Sequence, residues 1–349
     1  MTIKRTRIRN LAAVGAGVAL VATMSTGAAL AQGSPKKAYK ANPDDLYYLA
    51  LGDSLSVGWQ APGEVTKHGY DADLYAYYKK TITGLKLEDL GCPGETTSTM
   101  INGGCSGGVN YSEGNQLAQA EYFIKNYKVA FITIDIGAND VDGCAPYVTS
   151  KNSVTGMSDP DAFTDTQNCV ENGVTPSTVG ADGYPASDYG ITSDVEGIAG
   201  MNTDLATIIP GLQAADTQGA PIYAMNLYDP FLALYLIGSI EDNPTDETLA
   251  EQSVTLADGL NTDFSTVFGG YDIPVANVSG IFGTDNTSTS WSYPPPAAGL
   301  DTLTSDPHNV HAVCELTWEC TTYENIHAND AGYEAIAIAF EQVIGGLPG

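Results

Sequence analysis

Four separated stretches of the chain carry residue types able to act together on a carbonyl carbon. Gly52-Asp53-Ser54-Leu55-Ser56 offers a hydroxyl, Gly94 a backbone N–H that no side chain shields, and Asn139 an amide donor. Glu324-Asn325-Ile326-His327 adds an imidazole with a carboxylate three residues before it. A hydroxyl becomes a nucleophile when a base removes its proton and donors receive the oxyanion. The inventory therefore supplies a nucleophile (Ser54), a base (His327), an orienting group (Glu324) and oxyanion donors from Ser54, Gly94 and Asn139. Taken alone, Gly-Asp-Ser is equally a turn that ends a strand and caps the next helix.

The flanking elements favour the chemical reading. Leu46 to Leu51 is a short apolar run suited to a strand buried on both faces, so Ser54 falls at its C-terminal edge, where open α/β sheets bind ligands. Val129 to Ile136 is the strongest strand signal and ends at Gly137-Ala138-Asn139-Asp140, bringing Asn139 to the same edge. Further strands are expected at 85–90, 221–228 and 273–278. Helices are expected around Tyr75–Tyr78, over 116–127, over 201–215 with Pro210 kinking or dividing it, and over 248–268. The last helix carries Tyr333, Ile336, Ala337, Phe340, Val343 and Ile344 on one face. Strands alternating with helices predict a three-layer α/β/α sandwich with a mostly parallel, flavodoxin-like central sheet. Residues 142–192 and 279–322 read as long loop insertions, the former as a functional loop or lid.

In composition and order these blocks resemble the SGNH hydrolases, also known as GDSL lipases and esterases. Gly52-Asp53-Ser54 matches the first block and Gly94, in Leu90-Gly91-Cys92-Pro93-Gly94-Glu95-Thr96-Thr97, the second. Gly137-Ala138-Asn139-Asp140 matches the third, and His327 with Gly332-Tyr333 the fifth. The resemblance covers about 46–344 and implies ester hydrolysis through an acyl-enzyme. It makes Ser54 the nucleophile, His327 the base, and Ser54, Gly94 and Asn139 the oxyanion hole. The family usually places Asp where this chain has Glu324, so either Glu324 or a main-chain carbonyl of its loop is expected to orient His327. A catalytically silent carbohydrate-binding or adhesion protein on the same scaffold is the alternative.

Other candidates fit less well. His308 and His311 lack a following helix and either line the site or are solvated, and His68 reads as a surface residue. Gly104-Cys105-Ser106-Gly107-Gly108 satisfies the G-x-S-x-G elbow pattern, but no buried strand leads into it. The serine stretch of chymotrypsin-like proteases continues Gly-Gly where this chain has Leu55-Ser56.

Residues 1–31 read as a secretory signal peptide: Lys4, Arg5, Arg7 and Arg9, then the apolar run Leu11–Ala22, then Ala29-Leu30-Ala31. Residues 32–45 read as a mobile leader and 46–349 as one domain. The formal net charge of −28 becomes more negative without the leader, whose four basic residues have no acidic counterparts. Such a surface excludes nucleic-acid partners and disfavours anionic membranes, and no run outside the leader is long enough to span a bilayer. A secreted monomer acting on a lipid, phospholipid or acetylated polysaccharide ester is expected, with no cofactor. Cys92, Cys105, Cys144, Cys169, Cys314 and Cys320 allow 15 pairings. Sequential pairing is expected because they fall as three close couples. No zinc spacing occurs. Asp159, Asp161 and Asp165 could hold calcium, a solvated acidic loop being the plainer reading.

Overall fold

The computed structural model describes residues 41–157, 159, 161–235, 244–289 and 307–347. The leader 1–31 and the later part of the 279–322 insertion, 290–306, lie outside the described residues. Nine strands occur among them: β1 (Leu46–Gly52), β2 (Trp59–Gln60), β3 (Glu64–Val65), β4 (Leu85–Asp89), β5 (Lys128–Asp135), β6 (Ile222–Met225), β7 (Val275–Ala276), β8 (Thr317–Trp318) and β9 (Asn325–Ala328). The central sheet has the order β4-β1-β5-β6-β7, and every neighbouring pair is parallel. Helices cover both faces, so Tyr47, Tyr48, Leu49, Ala50 and Leu51 of β1 are fully buried. That double burial explains its unbroken apolar run. Across β1 and β5, Tyr48 stacks on Phe131 at 4.4 Å and its hydroxyl is 2.7 Å from Thr133 Oγ1, which gives the buried phenol a polar partner.

The helices are α1 (Tyr70–Tyr78), α2 (Thr97–Asn102), α3 (Gln116–Asn126), α4 (Ala138–Asp142), α5 (Pro146–Thr149), α6 (Ala162–Asn172), α7 (Gly197–Ala215), α8 (Pro244–Gly269), α9 (Val278–Ile281), α10 (His308–Leu316) and α11 (Asp330–Ile344). α1 packs on α11, with Tyr70 stacked on Phe340 at 5.0 Å, and α3 packs on α7. Asn115 and Asn329 cap α3 and α11: Asn115 Oδ1 accepts from Ala118 N–H at 2.7 Å, and Asn329 Oδ1 from Ala331 and Gly332 N–H at 3.0 and 3.1 Å. Three sequence expectations need correction. α7 runs unbroken through Pro210, whose side chain is exposed. The 142–192 insertion contains α6, held by a buried face of Asp165, Thr166, Cys169 and Val170. In the second insertion, His308 and His311 stand on α10, with His311 buried.

The sheet order reverses between β1 and β5, so a crevice opens at their C-terminal ends. Closing this edge needs glycine at position 52. Its φ is +138°, and a Cβ there would fall 2.0 Å from the main-chain oxygen of Asp135. The Gln116 side chain clamps the same peptide, accepting from Gly52 N–H at 2.8 Å and donating to Gly52 C=O at 2.9 Å. The substitution Gly52→Ala is expected to cost about 3 kcal/mol through overlap and backbone strain. Thermal unfolding followed by circular dichroism checks it; an unchanged Tm would contradict the assigned close approach.

Candidate active site

Ser54 follows β1 and His327 lies in β9, and the two meet over the crevice. Ser54 Oγ and His327 Nε2 are 2.8 Å apart. Which nitrogen carries the proton follows from the neighbouring residue. His327 N–H, which can only donate, lies 3.0 Å from Asn325 Oδ1, so the amide oxygen faces the histidine. The same Oδ1 is 2.9 Å from Nδ1, which must then be protonated and donate to it. The lone pair of Nε2 is left to accept from Ser54 Oγ–H. Trp59 packs on the imidazole with ring centroids 4.1 Å apart. Burial pushes His327 down to about 3, so the ring is neutral at ordinary pH.

Glu324 is not brought to the imidazole. It sits at the β8–β9 turn with φ +46°, its side chain exposed, and makes no hydrogen bond to His327 among the described residues. Nor does a main-chain carbonyl take its place: the partner of Nδ1 is the Asn325 side chain. The physical reason is the strand. Side chains alternate along β9, so positions 325 and 327 share a face whereas 324 does not. The sequence reading credits Asn325 with no more than a carbonyl and so misses its side chain; the signal was its i−2 spacing, informative only once His327 is placed on a strand. The hairpin is tied down around it. Tyr228 Oη–H donates to Ile326 C=O at 2.7 Å, Tyr333 Oη–H to Trp59 C=O at 2.5 Å, and Cys314 pairs with Cys320.

Gly94 and Asn139 line the same cavity as Ser54 and His327. Gly94 has φ +72°, and a Cβ would lie 1.8 Å from Ser106 Oγ, so glycine lets this turn close against the Ser106 loop. The Cys92–Cys105 bridge holds this loop together, and Ser106 is exposed in it without a preceding strand. Asn139 Nδ2–H donates to Asp53 Oδ2 at 3.1 Å and to Glu95 C=O at 3.0 Å. Asp53 in turn accepts from Leu55 N–H at 2.9 Å, so one buried carboxylate links the serine turn to the amide. Cys144 pairs with Cys169, completing the three bridges. His68 is exposed, and neither it nor His308 or His311 lines this cavity.

Around this centre several carboxyls are held away from water. Burial raises Glu95 and Asp142 to about 7, Asp140 to about 6 and Glu319 to about 8. Asp53 N–H donates to Asp135 Oδ2 at 3.4 Å, and burial together with the Asp53 charge pushes Asp135 well above the carboxylate range. Asp135 also accepts from Tyr70 Oη–H at 2.5 Å.

The GDSL-like Lipase/Acylhydrolase family model matches residues 48–340, and the chain belongs to that family. It is therefore a carboxylic ester hydrolase. Similar solved structures include the extracellular lipase from Streptomyces rimosus, with 13% identity, a TM-score of 0.49, and 87% of this chain and 100% of that one covered. Phospholipase A1 from Streptomyces albidoflavus NA297 has 16% identity and a TM-score of 0.41, covering 75% and 92%. The psychrotrophic esterase EstA from Pseudoalteromonas sp. has 15% identity and a TM-score of 0.38, covering 85% and 96%. No curated protein matches the chain.

Two expectations follow. Asn325→Ala should lower kcat/KM on p-nitrophenyl butyrate by about 10²-fold or more, because the imidazole loses its tautomer and orientation, while Glu324→Gln should stay within about threefold. Asn325→Asp places an anion beside Nδ1, favours the imidazolium, and should move the acid limb of the kcat/KM profile to higher pH. The reverse ranking of Asn325 and Glu324 would refute the assignment.

The second concerns stability. Raised carboxyls bind more protons in the folded than in the unfolded chain between about pH 4 and 8, so stability falls as pH rises through that window. His327 acts oppositely, between about pH 3 and 6.5, but is one group against several. Tm should therefore be higher at pH 5 than at pH 8, as measured by calorimetry.

Proposed function

We propose that the chain is an exported hydrolase that cleaves apolar acyl esters through a Ser54–His327 acyl-enzyme mechanism, with residues 46–349 as one domain. The observation that carries this reading is the 2.8 Å approach of Ser54 Oγ to His327 Nε2 inside a cavity of about 1080 Å³. Ser54 Oγ attacks the ester carbonyl carbon while its proton passes to Nε2. Asn325 Oδ1 holds the resulting imidazolium through Nδ1–H. The oxyanion is received by the N–H groups of Ser54 and Gly94 and by the Asn139 amide, which must share with it a hydrogen now given to Asp53 or Glu95 C=O. Each such donor contributes roughly 2.7–4 kcal/mol in the transition state. Collapse breaks the carbon–oxygen bond to the alcohol, which leaves with the proton from Nε2. Water then attacks the acyl-serine by the same route in reverse and releases the acid.

Leader, charge and three bridges support export to an oxidising compartment. No helix among the described residues is long and apolar enough to cross a membrane. The cavity walls include Phe163, Val170, Ile191, Phe231, Leu256 and Leu260, which suits an acyl chain better than a sugar.

Ser54→Ala should abolish turnover and labelling by a fluorophosphonate, with circular dichroism unchanged. With the native chain, kcat/KM on p-nitrophenyl esters should rise with acyl length from acetate to octanoate, by about fourfold per methylene fully buried. Residual turnover in Ser54→Ala above a few percent would overturn the nucleophile, and a preference for acetate would overturn the acyl-chain reading.

A further inference from the structure

We propose that Asp159, Asp165 and Asp182 form a calcium-binding site that fastens the 142–192 insertion against the acyl cavity. One carboxylate oxygen from each lies within 4.8 Å of the other two. These are not solvated loop residues: Asp159 and Asp165 are only 6% and 3% exposed, and Asp182 is half-buried. The observation that points to a ligand is Asp159 Oδ2, a buried carboxylate oxygen with no hydrogen-bond donor among the described residues. Its other oxygen accepts from Asp161 N–H at 2.8 Å. Asp161, which the sequence spacing grouped with Asp159 and Asp165, thus contributes its backbone while Asp182 takes its place in the cluster.

The other two carboxylates are aimed by the main chain. Both oxygens of Asp165 accept from Ala181 N–H, at 2.7 and 3.0 Å. Asp182 Oδ1 accepts from Tyr184 N–H at 2.9 Å, and its Oδ2 from Tyr189 Oη–H. Each oxygen keeps a lone pair beyond these bonds. Among the described residues no lysine, arginine or histidine forms an ion pair with the cluster. Three carboxylates drawn together, two of them buried, repel one another and gain from a cation between them.

The donor set selects the ion. All-oxygen, carboxylate-rich ligation suits a hard divalent cation, and zinc would want histidine or thiolate. Calcium binds oxygens at about 2.3–2.6 Å, so its opposed ligands stand roughly 4.6–5.2 Å apart, and one ion can touch three oxygens gathered within 4.8 Å of one another. Magnesium demands a strict octahedron at about 2.0–2.1 Å and keeps several of its waters, so a gathering of three carboxylates suits calcium better. Main-chain carbonyls and water complete a calcium shell of about six to eight oxygens.

The consequence for the enzyme is mechanical. Asp165 stands on α6, whose Phe163, Thr166 and Val170 line the cavity. Asp182 is bound through Tyr189 to the turn whose next residues, Gly190 and Ile191, line it from another side. The ion would join these two wall segments at a point remote from Ser54 in the chain, complementing the Cys144–Cys169 bridge.

The test uses the full exported chain, dialysed against a chelator and titrated with calcium chloride by calorimetry and with terbium by luminescence. Tyr189 is positioned to sensitise terbium emission. One equivalent should bind, and saturating calcium at about 100 times Kd should raise Tm by roughly 5 °C. Asp159→Asn and Asp165→Asn should each weaken binding at least tenfold, whereas Asp161→Asn should bind as the native chain does. Should either buried variant fail to fold, Asp182→Asn at the half-exposed position carries the same expectation. Absence of saturable binding, or binding that survives in every folded cluster variant, overturns the site. Fluorophosphonate labelling of Ser54, followed in parallel on the calcium-free chain, reports on the hydrolase separately, so a failure of one reading is not mistaken for failure of the other.

Discussion

The proposed chemistry of this chain depends on a single amide oxygen. Asn325 Oδ1 accepts from both the backbone N–H and the Nδ1–H of His327, and through that pair of bonds fixes the tautomer that leaves Nε2 free for Ser54. A carboxylate in this position would stabilise the imidazolium by charge; an amide does so only by its dipole. With no anion to offset it, burial keeps the ring neutral far into the acid range. An orienting amide in place of a carboxylate exchanges driving force for proton uptake against function at low pH. The surrounding carboxyls, raised toward neutrality by burial, lean the same way.

That amide matters only because the sheet delivers Ser54 to the far nitrogen of the same imidazole. The segments that follow β1 and β5 part at the switch in strand order, and Asp53 ties the serine turn to Asn139 across the gap. The contact between Gly52 and Asp135 and the Gln116 clamp hold the end of β1. His327, the proposed base, arrives from the far end of the chain on a hairpin that Tyr228 and the Cys314–Cys320 bridge secure. Each group is thus anchored by partners remote in sequence.

Much of the frame was legible in the sequence for a simple reason. β1 and β5 are buried on both faces, which forces continuous apolar runs, and α11 must bury one stripe, which forces its spacing. The serine, glycine, asparagine and histidine stand where local signals end those elements. What was not legible lies where local signal and tertiary role part. α6 buries Asp165 and Thr166 with its cysteine, so its inward face is polar and looked like loop. Asn325 could be recognised only after His327 was known to lie on a strand, where i−2 and not i−3 shares its face. The grouping of Asp182 with Asp159 and Asp165 spans more than twenty residues and a turn, beyond the reach of spacing arguments.

The most direct test of the account is the protonation state of His327, observed by ¹H–¹⁵N NMR of the imidazole nitrogens in the free enzyme. The account expects a neutral ring protonated at Nδ1, with Nε2 unprotonated, persisting from neutral pH to well below 6. An Nε2-protonated tautomer, or a ring that takes up its second proton near 6.5 or above, would contradict it.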